Sequence, residues 1–474
     1  MNRCISMIIA GLLLSPAALT LASPHDFNWA PLISCDQDIN GAARWRALGP
    51  IYESRRAVDG QKLQALRPLT TLAQDPADQR QEQDWLWPLL ITKRHMNQRQ
   101  WRLLALGLWR DYDIHDPQSR YSFWLLPIYF QGRDQHQQPY WAIFPLGGKI
   151  SDLLVWDQVR FVLFPLYGQA QQGRVRSEAY LWPFFSTSTA PHIRRLFLFP
   201  WYGRSWRQDS FDKRFVLWPF WTSARYLYPR SQGYGWILFP LVGHVKLPAQ
   251  ESWMFLPPLT RFSKSAQLTQ INCPWPIVQY SSGIIEKRYL WPLIGYKVIG
   301  TSRSGFLFWP IGISSRRLTE QGINQRYFVV PLLYSETQTR SAAPETAAGA
   351  TISARSFKIW PLFSYHRLED RASLRLPSLC PGKDIPVIER NYAALWTLYT
   401  HSTCGPITED ELAWGLLQYR RSPAGLLRAS LFPLFAMDRE QAGAPLEWSF
   451  LKGFVARERA GDRRRMRLLY IFRW

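Results

Sequence analysis

Apolar stretches of about eight residues alternate with polar clusters along most of the chain, as in Phe161 to Gly168, Leu196 to Gly203, Phe215 to Thr222 and Trp236 to Gly243. They are rich in aromatic and β-branched side chains, shorter than an ordinary helix, and interrupted by proline, which a helix interior does not tolerate. Each is therefore predicted to be a β-strand. The segments between them, such as Gly132-Arg133-Asp134, Gln171-Gln172-Gly173 and Ser231-Gln232-Gly233, are short and turn-like. Connections of that length make antiparallel hairpins, since a parallel crossover needs a dozen residues or more. The expected topology is an all-β antiparallel meander.

The stretches share a motif. Leu-Phe-Pro or Leu-Trp-Pro, with small variations, recurs at Pro88, Pro127, Pro145, Pro165, Pro183, Pro200, Pro219 and Pro240, then at Pro257, Pro276, Pro292, Pro310 and Pro331. The spacing averages about 18 residues, below that of helical repeats. Later copies are looser: Ile359-Trp360-Pro361, Leu395-Trp396-Thr397, Ala413-Trp414-Gly415 and Leu431-Phe432-Pro433. With one strand and one turn per repeat, roughly 18 to 20 strands are expected. A proline inside nearly every strand predicts a bend or bulge at one level of the sheet. Gly168, Gly203, Gly243 and Gly295, three residues after a proline, fit close backbone approach beside that bend.

Three segments stand apart. Residues 1–22 have one early cation, Arg3, an apolar run and a small-residue ending, the layout of a cleaved secretory signal. Residues 23–84 lack the proline repeat and read as irregular or partly helical, leaving 85–474 as the repeat domain. Thr337 to Ala354, rich in Ala, Thr and Ser, reads as a long inserted loop.

So many strands must resolve their edges, and closure into a β-barrel removes them. An outer-membrane barrel of structural or transport type is the leading expectation. After residue 22 no run is long enough for a membrane helix, the apolar stretches approach the length of a tilted spanning strand, and 24 Trp, 21 Tyr and 26 Phe could supply interfacial girdles. The end of the chain, Met466, Leu468, Tyr470, Phe472 and Trp474 at alternate positions, resembles the closing strand of bacterial outer-membrane proteins, which implies handling by the outer-membrane assembly machinery. Apolar residues on both faces around Pro165 equally suit a soluble periplasmic or surface β-sheet repeat array binding anionic glycolipid or polysaccharide.

The formal charge is +22, with clusters at Arg194-Arg195, Lys213-Arg214, Lys287-Arg288, Arg316-Arg317 and Arg463-Arg464-Arg465. Beside aromatic belts these suit outer-membrane lipid or lipopolysaccharide phosphates; solvated strand ends are the plain alternative, and nucleic acid is not expected in a secreted chain. Cys35, Cys273, Cys380 and Cys404 lack metal-ligand spacing and read as disulfide formers, with Cys380 and Cys404 favoured because they are close in sequence. No hydrolase, metalloprotease, phosphate-loop or dinucleotide motif is present, so no catalytic residue, metal or cofactor is assigned. Glu369-Asp370 and Glu409-Asp410-Glu411 read as solvated acidic turns.

Phe161 to Gly168, Phe215 to Trp221, Cys273-Pro274-Trp275-Pro276 and Glu389-Arg390-Asn391 resemble secreted bacterial proteins, themselves uncharacterised, with repeated Trp-Pro-Phe and Phe-Pro-Leu-Tyr-Gly motifs. The resemblance extends from about Trp85 onward and implies no activity or ligand.

Overall fold

A computed structural model describes residues 27–473 apart from 229–231, 320–321, 341–350, 440, 461–462 and 470–471. The expected secretory segment, residues 1–22, lies outside the described residues. The chain is all-β: among the described residues there are 46 strands, from β1 (Phe27–Trp29) to β46 (Phe472–Arg473), one short helical segment at 386–396 and two three-residue helical turns at Ala413–Gly415 and Leu451–Gly453. The registered pairings are antiparallel and join strands consecutive in sequence, as at β17 (Val175–Tyr180) and β18 (Phe185–Ala190). No described pairing joins the first strand to the last.

The strand count exceeds expectation because proline stands between strands and not within them. The repeat that starts at Val175 consists of six residues of β17, the apolar turn Leu181-Trp182-Pro183-Phe184, six residues of β18, and the polar turn Pro191-His192. Each apolar stretch is thus the end of one strand, a turn, and the start of the next. This also resolves the two apolar faces around Pro165. Val162 and Tyr167 are cross-strand partners, as are Phe161 and Gly168, so the stretch doubles back on itself.

The segment expected to be irregular or partly helical carries strands β1 to β7 (Arg80–Trp85). Without the Leu-Phe-Pro marker, its short strands, such as β4 (Tyr52–Arg56), are too polar to announce themselves. Thr337 to Ala354 is mostly strand where it is described. Residues through Arg340 end β34 (Leu333–Arg340) and those from Thr351 begin β35 (Thr351–Ile359), while 341–350 lie outside the described residues.

The chain forms two compact units: one runs to Ala65 and resumes at Pro406, the other is Leu66–Gly405. In the second, Phe130, Tyr140, Ala142, Ile150 and Phe161 form a buried cluster with Trp124 and Phe164 packed against it. The helical segment straps the ends of this unit. It follows β37 (Arg371–Leu376), and Arg390 bonds both Glu82 and Asp84 of β7 at 2.9 and 2.6 Å, while Asn391 bonds Asp84 at 2.6 Å.

Candidate lipid-facing edge

In an antiparallel meander alternate connections fall on the same side of the sheet. All proline turns of the Leu66–Gly405 unit therefore line one edge, and the polar turns line the other. The four-residue proline turns 163–166, 181–184, 217–220 and 308–311 share one geometry, while others such as Phe239-Pro240-Leu241 are a residue shorter and have no positive φ. In Leu163-Phe164-Pro165-Leu166 the Phe-Pro peptide is cis, Leu163 has φ of 43°, and the Leu166 N–H donates to the Leu163 carbonyl at 2.8 Å, a type VI turn.

Successive turns are also bonded to one another. Leu181 N–H donates to the Leu166 carbonyl, Trp182 N–H to that of Pro165, and Phe184 N–H to that of Leu181, each at 2.8 Å. Turn 217–220 repeats this with Trp201, Pro200 and Leu217 as acceptors, and turn 308–311 with Leu293, Pro292 and Phe308. Proline has no N–H to satisfy. In these turns every N–H is internally paired, and the outward side chains are large and apolar: Trp182, Phe184, Trp218 and Phe220 are 50 to 57 % exposed.

The two faces behind this edge differ. On one, the row nearest the turns reads Tyr180, Phe185, Leu198, Tyr202, Val216, Trp221, Leu238, Val242 and Phe255 across successive strands. The row farthest from the turns, on the same face, reads Arg176, Thr189, Arg194, Trp206, Asp212, Arg225, Tyr234, Lys246 and Glu251. This face grades from apolar at the proline edge to charged at the polar edge.

The opposite face is rich in small residues along its middle. Its central row runs through Ser177, Ser188, Arg195, Ser205, Lys213, Ala224, Gly235, Val245, Ser252 and Ser263. Beyond Gln270 it continues through Ser281, Lys287, Lys297, Ser304, Ser315, Arg326, Glu336, Ser356, His366 and Ser373. Ser188, Ser205, Ser252, Ser263 and Ser281 are buried, and Ser252 bonds Ser263 at 2.7 Å. The dibasic clusters divide between faces because consecutive strand residues point oppositely: Arg195, Lys213 and Lys287 on the small-residue face, Arg194, Arg214 and Arg288 on the other. Of the glycines expected to allow close approach after a proline, Gly203 and Gly295 are sockets on the small-residue face and Gly243 is tightly packed, whereas a Cβ on Gly168 would meet open space. A Cβ on Gly203 would stand 2.0 Å from Cε1 of Phe215, and one on Gly295 equally close to Phe306.

Polar networks missed by sequence reasoning join distant segments. Asp384, from the strap, accepts hydrogen bonds from Lys358, from His366 Nε2 at 2.5 Å and from Arg375 at 3.1 Å. Burial pushes its carboxyl up, but His366 and Lys358 outweigh that and hold it at about 2. Glu336 is likewise disfavoured as an anion by burial, yet hydrogen bonds from Tyr334, Arg326, Lys383 and Gln338 keep it well below the usual carboxylate range. In the other unit Glu409 and Glu411, expected in a solvated turn, lie in β39 (Ile407–Leu412). Glu411 pairs with Arg44 and Arg46, and Glu409 pairs with Arg420 at 3.0 Å. Burial raises the Glu409 carboxyl above its ordinary value.

Among the described residues Cys273, Cys380 and Cys404 carry free thiols. Cys404 ends β38 (Tyr399–Cys404) opposite Arg371, whereas Cys380 lies beyond Leu376 at the other end of the same strand pair. Five residues of strand separate the two levels by roughly 16 Å, beyond the reach of a disulfide.

No family model matches the chain, and no curated protein matches it.

Proposed function

We propose that the protein is a structural, outer-membrane-associated β-repeat protein that seats its proline edge in one leaflet of a lipid layer and keeps its basic edge in water. The observation that carries this reading is that turns 163–166, 181–184, 217–220 and 308–311 pair every N–H within the turn or with a neighbouring turn, while Trp182, Phe184, Trp218 and Phe220 stay half exposed. Hydrocarbon excludes unpaired backbone donors and favours such side chains, so these turns satisfy both demands of a lipid interior. Trp at this level suits the interface itself.

Strand length favours edge insertion over a spanning barrel. A six-residue strand covers roughly 20 Å, against a hydrocarbon core of about 30 Å that calls for strands of about nine to eleven residues. The turn plus the first apolar row reaches roughly 12 Å, close to one leaflet. The far row carries Arg176, Arg194, Arg225 and Lys246, whose place is at the head groups or beyond.

Phosphatidylcholine vesicles with bromine at defined acyl positions test this directly. Tryptophan emission is expected to be quenched by bromine in the outer half of the acyl chains and spared by bromine near the bilayer centre. Protein that remains in the aqueous fraction with unquenched emission refutes lipid insertion and favours a soluble array.

A further inference from the structure

We infer that a basic hollow of about 700 Å³ near the polar edge, formed between β30 (Ile294–Ile299) and β36 (Phe363–Leu368), binds a ligand bearing two or more phosphate groups. Five cations line it, and four of them, Lys297, Arg303, Arg316 and Arg317, have no carboxylate within ion-pair distance among the described residues. Glu369 is the one acidic residue in the lining and reaches none of them. Arg326, also in the wall, is already paired with Glu336 at 2.9 Å.

The arrangement of these cations separates the hollow from an ordinary solvated strand end. Arg303 and Arg316 are direct cross-strand partners, and Lys297 is the direct partner of Lys287. Like charges in opposed positions destabilise a strand pair unless an anion stands between them. Burial and the charge of Lys297 both lower the Lys287 ammonium below its ordinary value, the expected result of crowding without a counter-ion. Arg317 stands two residues from Ser315 and so shares the face of Lys297, Ser304 and Ser315, while Arg303 and Arg316 project to the other face of the same strands. Between the cations, Ser304 and Ser315 are small hydroxyl-bearing partners on the same row. Forked guanidinium donors, an ammonium and hydroxyls in a recess are the donor set that phosphate oxygens take. The volume accommodates a phosphorylated sugar.

The inference is independent of lipid insertion by the proline edge. Phosphate could reach the hollow from a lipid head group or from a soluble ligand, and titration with two probes distinguishes them. Inorganic pyrophosphate is the soluble probe; phosphatidylcholine vesicles with and without phosphatidic acid are the lipid probe. Pyrophosphate is expected to bind the full chain, with affinity that falls steeply as sodium chloride is raised to about 0.5 M. The double variant Lys297→Gln/Arg317→Gln is expected to weaken binding about tenfold or more. Its affinity for pure phosphatidylcholine should be unchanged. The control Arg94→Gln/Arg99→Gln, in a smaller basic hollow of about 270 Å³, should retain pyrophosphate binding. If the extra affinity for phosphatidic acid vesicles also falls in the first variant, the ligand comes from a head group; if only pyrophosphate binding falls, it is soluble. Absence of pyrophosphate binding to the unmodified chain, or equal weakening by the control pair, would overturn the inference.

Discussion

Replacing Phe220 by Ser tests whether the proline edge enters lipid. Phe220 closes the turn Leu217-Trp218-Pro219-Phe220, and its N–H is held by the Leu217 carbonyl at 2.8 Å, a bond that a serine backbone keeps. Its side chain is 57 % exposed. With about 200 Å² for an aromatic side chain, some 110 Å² remains to be buried in hydrocarbon. At about 25 cal/mol per Å² that is worth about 2.5 to 3 kcal/mol, so the partition coefficient into phosphatidylcholine vesicles is expected to fall about a hundredfold. Leu154 provides the control. It is 90 % exposed but sits in a turn on the polar edge, between β14 (Gly147–Leu153) and β15 (Trp156–Val162). Leu154→Ser is expected to leave partitioning within about threefold, because only the proline edge meets the acyl chains. Vesicle co-sedimentation across a lipid titration measures both, with circular dichroism to establish that each variant is folded. Equal losses at Phe220 and Leu154 would mean undirected hydrophobic adhesion, and no loss at Phe220 would mean that the edge does not enter lipid.

Two further predictions concern the scaffold. Gly203→Ala places a Cβ inside the contact distance of both Phe215 and Phe197 and is expected to destabilise the Leu66–Gly405 unit by about 1 to 3 kcal/mol; adding Phe215→Leu should recover part of the loss in urea melts, and an unchanged midpoint would count against the socket. Asp384 is held at about 2, below its unfolded value of about 3.9, so its contribution is complete above about pH 5 and is lost as pH falls through 4 toward 2, amounting to about 2 kcal/mol. Hydrogen exchange in 377–398 should rise relative to the rest of the unit over that window, and Asp384→Asn should show the raised exchange already at pH 6; parallel pH profiles for the two proteins would refute the role of Asp384 as the strap's anchor.

Much of the fold is legible along the chain. Alternation of short apolar stretches with Gln, Gly and Asp clusters, together with proline at about 18-residue intervals, specifies short antiparallel strands joined in sequence order, because only local pairing fits connections so short. The same pattern reads identically whether proline kinks a strand or caps a turn. One choice gives a single strand per repeat and the other gives two, and the register of Val162 with Tyr167 is what separates them. The candidate edge was present in the sequence as the motif itself, yet its meaning was not, since exposure of Trp218 and Phe220 follows only once alternate turns are known to share a side.

Sequence alone determined what depends on neighbours along the chain: strand-forming stretches, an all-β meander and an excess of cations. Tertiary structure decided what depends on which strands and faces come together. Arg303 meeting Arg316, Lys287 meeting Lys297, and Glu82 meeting Arg390 are products of register and of the strap's return to β7. Face assignment likewise follows from a two-residue period that a one-residue change of register would invert. Electrostatic pairing and lipid exposure act through space, so they become visible only when the positions of the strands are known.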